Sequence, residues 1–294
     1  MRFGKMAAGM TSLVLIMVFA VPPGFTQEEK AVRVAIEAVR GQMRVPKEIE
    51  IKFVEKKESP IPDFYSVKLF LLAPDREIPV VVYVDKAGEK VILGNLIIKG
   101  ENLTQKEAGP SRPRKIDMGQ LEIERSPWRG PENAKVTVVE FSNFECQHCL
   151  TAWTKLKEFL EKHPKEIKYV FKHFPLQGQG KPVEISEMIA ACQELGREAF
   201  WPIHDFFFSS EGQSLVKGEK AAVKKKIEEI LKEKGYDPKA YQAALETGKG
   251  KKRVEEDLAL GNKLRVKGTP TTLINGEFVR NPVTDNLLSQ YLKK

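Results

Sequence analysis

The chain has few of the residues that do most chemistry: 294 residues carry 3 cysteines and 4 histidines, and none of either precedes residue 146. A small exported scaffold held by disulfides needs a larger, even set of thiols, so that class is excluded. The first half has no thiol or imidazole, and its most economical role is binding, dimerisation or packing. No cysteine lies near the amino terminus, which leaves no lipid-attachment site there. Long apolar runs are scarce too. Met10 to Val21 is too short for a comfortable membrane span. It follows Arg2 and Lys5 and precedes Pro22-Pro23-Gly24, the pattern of a secretory signal over residues 1–26, with an uncleaved anchor as the alternative. The formal charge of +8 comes without a basic aromatic platform, and stretches such as Lys224-Lys-Lys226 followed by Glu228-Glu229 interleave their signs as solvated helix faces do. Nucleic acid is therefore not an expected partner.

The length allows two domains with proper cores. Val32, Ala35, Ile36 and Val39 recur at helical spacing between Glu28 and Met43. Alternating runs follow at Ile49–Phe53 and Val67–Leu71, and Ile78–Val84 and Lys90–Ile98 flank the turn Asp85-Lys-Ala-Gly88. One helix and four strands predict a small α+β unit over residues 27–100, whose half-covered sheet would offer an edge and a face to a partner. The polar residues 101–125, with Pro110 and Pro113, read as a linker.

The chemistry concentrates in Glu140-Phe-Ser-Asn-Phe-Glu-Cys146-Gln-His148-Cys149. The apolar run Val136–Phe141 predicts a buried strand, and a helical pattern follows from Cys146 to about His163. That spacing puts Cys146 at the first turn of the helix and Cys149 one turn deeper on the same face. Unpaired N–H groups and partial positive charge at a helix N-terminus stabilise a thiolate. His148 can add a cation or an N–H donor, and Cys149 is placed to resolve a mixed disulfide on Cys146. Half a zinc site and a chance pair are the other readings of C-x-x-C. A zinc site would need ligands from Cys192, His163, His173 and His204, none with ligand-like spacing. Cys192 lies on an apolar helical stripe and reads as an inert buried thiol. The remaining pattern is a strand at Ile167–Phe171, helices over about residues 176–262, a strand over Val266–Ile274, the turn Asn275-Gly276 and a closing helix from about Asp285. The aromatic segment Phe200–Phe208 reads as core or as groove lining for unfolded substrate.

Ser126-Pro-Trp-Arg-Gly130, Val138 to Cys149, Tyr169-Val-Phe-Lys-His-Phe-Pro175, Phe200-Trp-Pro-Ile-His-Asp205 and Gly268-Thr-Pro-Thr271 together resemble the DsbA family of exported thiol-disulfide oxidoreductases. The resemblance covers residues 126–294 and implies an α/β thioredoxin fold with a helical insertion. It implies Cys146 as nucleophile, Cys149 as resolving thiol, His148 of the oxidase pattern, and Glu140 as a buried acid moving protons. Substrate would be bound by Gln147, Thr269 and Pro270, with a cis bond before Pro270 letting Thr269 pair with an extended chain. The redox centre is the cysteine pair itself, with no other cofactor and no metal. Implied partners are cysteine-containing unfolded or misfolded exported proteins and a membrane partner that recycles the thiols; the implied compartment is the bacterial periplasm. Gln147 stands where many strong oxidases have proline, and Asn143 where many relatives have aspartate. Phe64-Tyr-Ser-Val, Val82-Tyr-Val-Asp85 and Val91 to Leu96 resemble the cystatin-like dimerisation domain of the DsbC and DsbG isomerases, which implies a homodimer. Oxidase, isomerase or reductase, and a chaperone-like holdase on the same fold, all remain open at this level.

Overall fold

The computed structural model describes residues 27–176, 180–280 and 282–293; the predicted signal over residues 1–26 lies outside them. The chain starts with α1 (Gln27–Gln42), whose Ala31, Ala35 and Val39 are fully buried at helical spacing. They pack on Val67, Leu69 and Leu71 of β2 (Phe64–Leu72) and on Val82 and Val84 of β3 (Arg76–Asp85). β1 (Glu50–Glu58) pairs antiparallel with β2, and β2 with β3, so consecutive strands form a meander. After β3 the expected turn closes on Gly88, with Asp85 Oδ1 accepting from the Glu89 and Lys90 amides at 2.7 and 2.8 Å.

The expected strand over Lys90–Ile98 is two short ones, because Gly94 and Asn95 bend the chain: β4 (Val91–Ile92) continues the meander, and β5 (Ile97–Ile98) pairs with β6 (Glu101–Asn102). The larger difference is in residues 101–125, which are ordered and not a free linker. After β6 come α2 (Leu103–Ala108) and β7 (Arg112–Pro113), which pairs with β3. The sheet demands this cover. Phe70, Val81 and Tyr83 are apolar and buried on the face away from α1, so a half-covered sheet would leave them in water. Instead the Tyr83 hydroxyl meets Thr104 Oγ1 at 2.8 Å, Lys68 Nζ donates to the Glu107 carbonyl, and the Arg112 guanidinium sits 4.4 Å from the Phe70 ring.

Residues 112–116 then bridge two sheets. On one side they pair with β3; on the other the Phe278 amide donates to the Arg114 carbonyl and the Ile116 amide to the Gly276 carbonyl. Gly276 has φ +82°, and a Cβ there would fall 2.2 Å from the Ile116 carbonyl oxygen, so only glycine permits this approach. The buried Arg114 side chain ties both halves, its Nη1 donating to the Pro74 carbonyl at 2.9 Å and the Leu264 carbonyl at 3.0 Å.

The second half contains β8 (Trp128–Arg129), β9 (Val136–Ser142), α3 (Gln147–Lys162) and β10 (Ile167–His173). Then follow α4 (Lys181–Ala191), α5 (Arg197–Phe207), α6 (Ser210–Val216), α7 (Lys220–Glu233), α8 (Pro238–Glu246) and α9 (Lys249–Lys263), which match the expected insertion. The chain closes with β11 (Thr271–Ile274), β12 (Glu277–Val279) and α10 (Asp285–Lys293). The expected strand from Val266 begins only at Thr271, after Gly268 and Pro270 have broken the run. The sheet order is β12-β11-β9-β10-β8, with β9 and β10 parallel and the other pairings antiparallel. Both faces of β9 are covered. Val136 and Val138 join Trp153, Tyr169 and the insertion helices in one core, whereas Val139 and Phe141 pack with Val170, Phe174, Leu260 and Leu273 in another. Beside the second core, Lys172 Nζ and Asp257 Oδ1 form a fully buried pair at 3.1 Å, and Asp257 also accepts from the His173 amide.

Hydrogen bonds from a charged donor contribute about 1.5–3 kcal/mol each. Arg114→Ala should therefore lower the urea midpoint and separate the unfolding of the two halves into two transitions. A single transition at the parent midpoint would show that Arg114 does not couple them.

Candidate active site

The thiols sit where β9 hands over to α3. Between them Asn143 is buried, its Oδ1 accepting from the Glu145 amide at 3.2 Å and its carbonyl from the Cys146 amide at 3.1 Å. Phe144 enters an aromatic box, with ring centroids 5.1 Å from Phe171 and 5.0 Å from Phe208. The insertion grips this loop directly. Gln213 of α6, itself buried, donates through Nε2 to the carbonyls of Phe144 and Phe207. Nothing in the sequence marked Gln213, which lies on an ordinary helical pattern.

Cys146 is the N-cap of α3 in extended conformation, and the helix runs from Gln147. Its thiol is half-buried and is pushed down to about 5, first by a hydrogen bond from the Cys149 thiol, then by the Thr269 side and by the backbone N–H groups of Cys149 and His148, against the opposing effect of burial. The Cys146 Sγ lies 3.4 Å from the Thr269 carbonyl oxygen, and the Thr269-Pro270 bond is cis, as the resemblance implied. Cys149 is fully buried, and burial first, then Cys146 and the charge of Glu140, drive its thiol strongly upward. One sulfur is thus poised as an anion at the surface while its neighbour holds a proton beneath it.

Glu140 lies under this pair, 1 % exposed, on the face of β9 that looks toward α3. Burial raises its carboxyl to about 7, the Ser142 hydroxyl works against that rise, the Cys146 charge adds to it, and the Tyr169 hydroxyl works against it. A carboxyl at about 7 is suited to exchanging protons near neutrality. The sequence placed Cys146, Cys149, Glu140, Thr269 and Pro270 together, and the fold brings them together. His148 and Gln147 stay at the rim with exposed side chains. The part of His148 that meets the sulfur is its backbone N–H, where the sequence suggested the imidazole.

Other expectations separate from this site. Phe200, Trp201, Ile203, His204, Phe207 and Phe208 are buried, so the aromatic segment is core and not a surface for unfolded substrate. His173 and His204 are held neutral chiefly by burial, down to about 3 and about 4. Cys192 is fully buried with its thiol raised by desolvation, the state of an inert thiol. Among the described residues, no group of three or more His, Cys, Asp or Glu side chains is arranged to hold a metal ion.

A parallel β-α-β core with a dithiol at the start of its helix, a cis-proline loop against the outer sulfur and a helical insertion defines a DsbA-like thioredoxin fold. The chain belongs to the thioredoxin family, whose model matches residues 122–294. In sequence it is similar to the Na(+)/H(+) antiporter NhaA 3 of Salinispora tropica, 29% identical over 173 residues that make 58% of this chain and 25% of that protein. It is also similar to disulfide bond formation protein D of Bacillus subtilis, 27% identical over 180 residues covering 55% of this chain and 73% of that one. The chain spans about a quarter of the length of the antiporters it matches. In structure it resembles the thiol-disulfide exchange protein alpha-DsbA2 of Wolbachia pipientis, with a TM-score of 0.50 and 22% identity over 59% of this chain and 89% of that one.

Because the Cys149 thiol is the largest influence lowering Cys146, alkylation of the reduced protein should follow a pH profile with its midpoint at about 5. Below that pH the sulfur is protonated and the rate falls. In Cys149→Ala the midpoint should move upward; a midpoint that stays in place would remove the thiol–thiolate hydrogen bond as its cause.

Proposed function

We propose that this protein is an exported thiol-disulfide oxidoreductase that forms or rearranges disulfides in other exported proteins through Cys146 and Cys149. The observation that carries the reading is the asymmetry of the pair: Cys146 lowered to about 5 at the mouth of α3, Cys149 buried and held protonated. A substrate thiolate attacks Cys146, Cys149 leaves as the second sulfur, and an extended substrate chain pairs with the backbone of Thr269. The relative from Bacillus subtilis named for disulfide bond formation supports the reaction class. Substrates are unfolded or misfolded chains with free cysteines, and a membrane redox partner recycles the pair. The secretory pattern in residues 1–26 supports export, and among the described residues no helix is long and apolar enough to cross a membrane.

Disulfide donation is favoured over reduction. Stabilising one thiolate stabilises the dithiol over the disulfide, which makes the disulfide the more oxidising form. A second reading, a self-associating isomerase, draws support from Ile92, Leu93, Ile97 and Ile98, four apolar residues within a short stretch of the amino-terminal half that are each exposed.

Oxidised protein should transfer its disulfide to a reduced cysteine-containing chain, and Cys146→Ala should not. The Cys146/Cys149 potential against glutathione should lie above the value of about −270 mV typical of thioredoxin, within roughly −120 to −200 mV. A variant that oxidises at the parent rate would sink the assignment, and a potential at or below thioredoxin's would reverse its direction.

A further inference from the structure

Three buried polar atoms belong to residues on one face of the β9–β10 pair, and none has a hydrogen bond of good geometry: Glu140 Oε1, Ser142 Oγ and Tyr169 OH. Their residues are 1 % exposed or less. Buried polar atoms without partners are rare, and a cluster of them marks either a cost carried for function or a site of proton movement. The strand registers explain the cluster. Glu140 and Ser142 are two apart on β9 and share a face, and Tyr169 lies on the same face of the neighbouring parallel strand, with Phe171 opposite Glu140. Cys149 looks down on that face from α3, in the same core as Tyr169.

The electrostatic influences run through the same groups. Ser142 acts on both Glu140 and Cys149, and Tyr169 acts on Glu140. The groups around them are Cys146 and Cys149 from α3, Arg129 from β8, and His204 and Asp205 from α5, the His204 ring packing 6.1 Å from that of Tyr169, while β11 places the uncharged Thr272 opposite Glu140. Arg129 and Asp205 pair with each other at 2.8 Å, which leaves Glu140 as the one carboxyl in this group without a cationic partner. A hydroxyl both donates and accepts, so it can take a proton from one neighbour and pass another on.

We propose that Ser142 and Tyr169 are positioning residues for the proton exchange between Cys149 and Glu140, Ser142 relaying the proton and Tyr169 holding the carboxyl in line. This rests on the oxidoreductase reading above. When a substrate dithiol is oxidised, its first thiolate bonds to Cys146 Sγ and the Cys146–Cys149 bond breaks, its electron pair leaving on Cys149. That sulfur takes a proton that the Glu140 carboxyl gives up through the Ser142 hydroxyl. The second substrate thiolate then attacks the substrate sulfur of the mixed disulfide, and Cys146 leaves as a thiolate. Two electrons pass from substrate to protein. In the reverse direction Cys149 returns the proton to Glu140 before it attacks the mixed disulfide.

The test follows reduced protein reacting with dithiobis(nitrobenzoate) in a stopped-flow instrument. Attack by Cys146 releases one chromophore, and resolution by Cys149 releases a second. General acid–base assistance contributes about 10²- to 10⁴-fold, so Tyr169→Phe and Ser142→Ala should each slow the second release at least about tenfold near neutrality while leaving the first within about twofold. Both hydroxyls oppose the upward shift of Glu140, so their removal should also move the inflection of the second release above about 7. A purely structural role would change the melting temperature and not that inflection. Parent rates and inflections in both variants overturn the proposal. If Tyr169→Phe loses the first release as well, Ser142→Ala decides alone. A parent protein that releases one chromophore only, or a Cys146→Ala protein whose first release is unchanged, would instead overturn the dithiol reading itself.

Discussion

The hydrogen bond between the thiols of Cys149 and Cys146 is the interaction on which the site depends. It assigns the negative charge to the outer sulfur and the proton to the inner one, and the backbone amides at the start of α3 reinforce that assignment. Everything nearby serves it. β9 delivers the loop, the buried Asn143 shapes its turn, Gln213 fixes its carbonyl from the insertion, and the Thr269 carbonyl closes the outer side. The insertion is thus part of the active-site support, since it holds the last turn of chain before the nucleophile.

The sequence disclosed what is local. Cys146, Cys149 and Glu140 lie within ten residues, and the strands β9 and β10 announce themselves as apolar runs too continuous for a surface sheet. Thr269-Pro270 was legible through the resemblance. What stayed hidden works through space or through the backbone. Tyr169 reads as one more aromatic in a core strand, and only the parallel register with β9, which sets it opposite Val138, puts it on the face of Glu140 and lets its hydroxyl act on that carboxyl. His148 was read for its imidazole, whereas the sulfur meets its N–H, a group nearly every residue supplies. Gln213 carries its role in one amide, which no periodicity reveals.

Residues 101–125 show the same limit at the level of the fold. Their polar composition hides the burial of Arg114, Ile116 and Leu121, and their backbone pairing leaves no mark on composition. The better clue was on the sheet they cover. Val80 to Tyr83 is apolar at successive positions, and a strand of that kind has two faces to bury, so it requires a second layer from somewhere in the chain.

Because residues 112–116 pair with β3 on one side and with the β11–β12 turn on the other, the boundary between the two halves runs lengthwise through a strand instead of across a loop. No point of scission leaves both parts whole: a cut before the segment exposes Phe70 and the end of β3, and a cut after it exposes the edge of the thiol-bearing sheet. For anyone recombining such domains, this amino-terminal half is not a detachable module. It can be transplanted only together with the strand it lends to its neighbour.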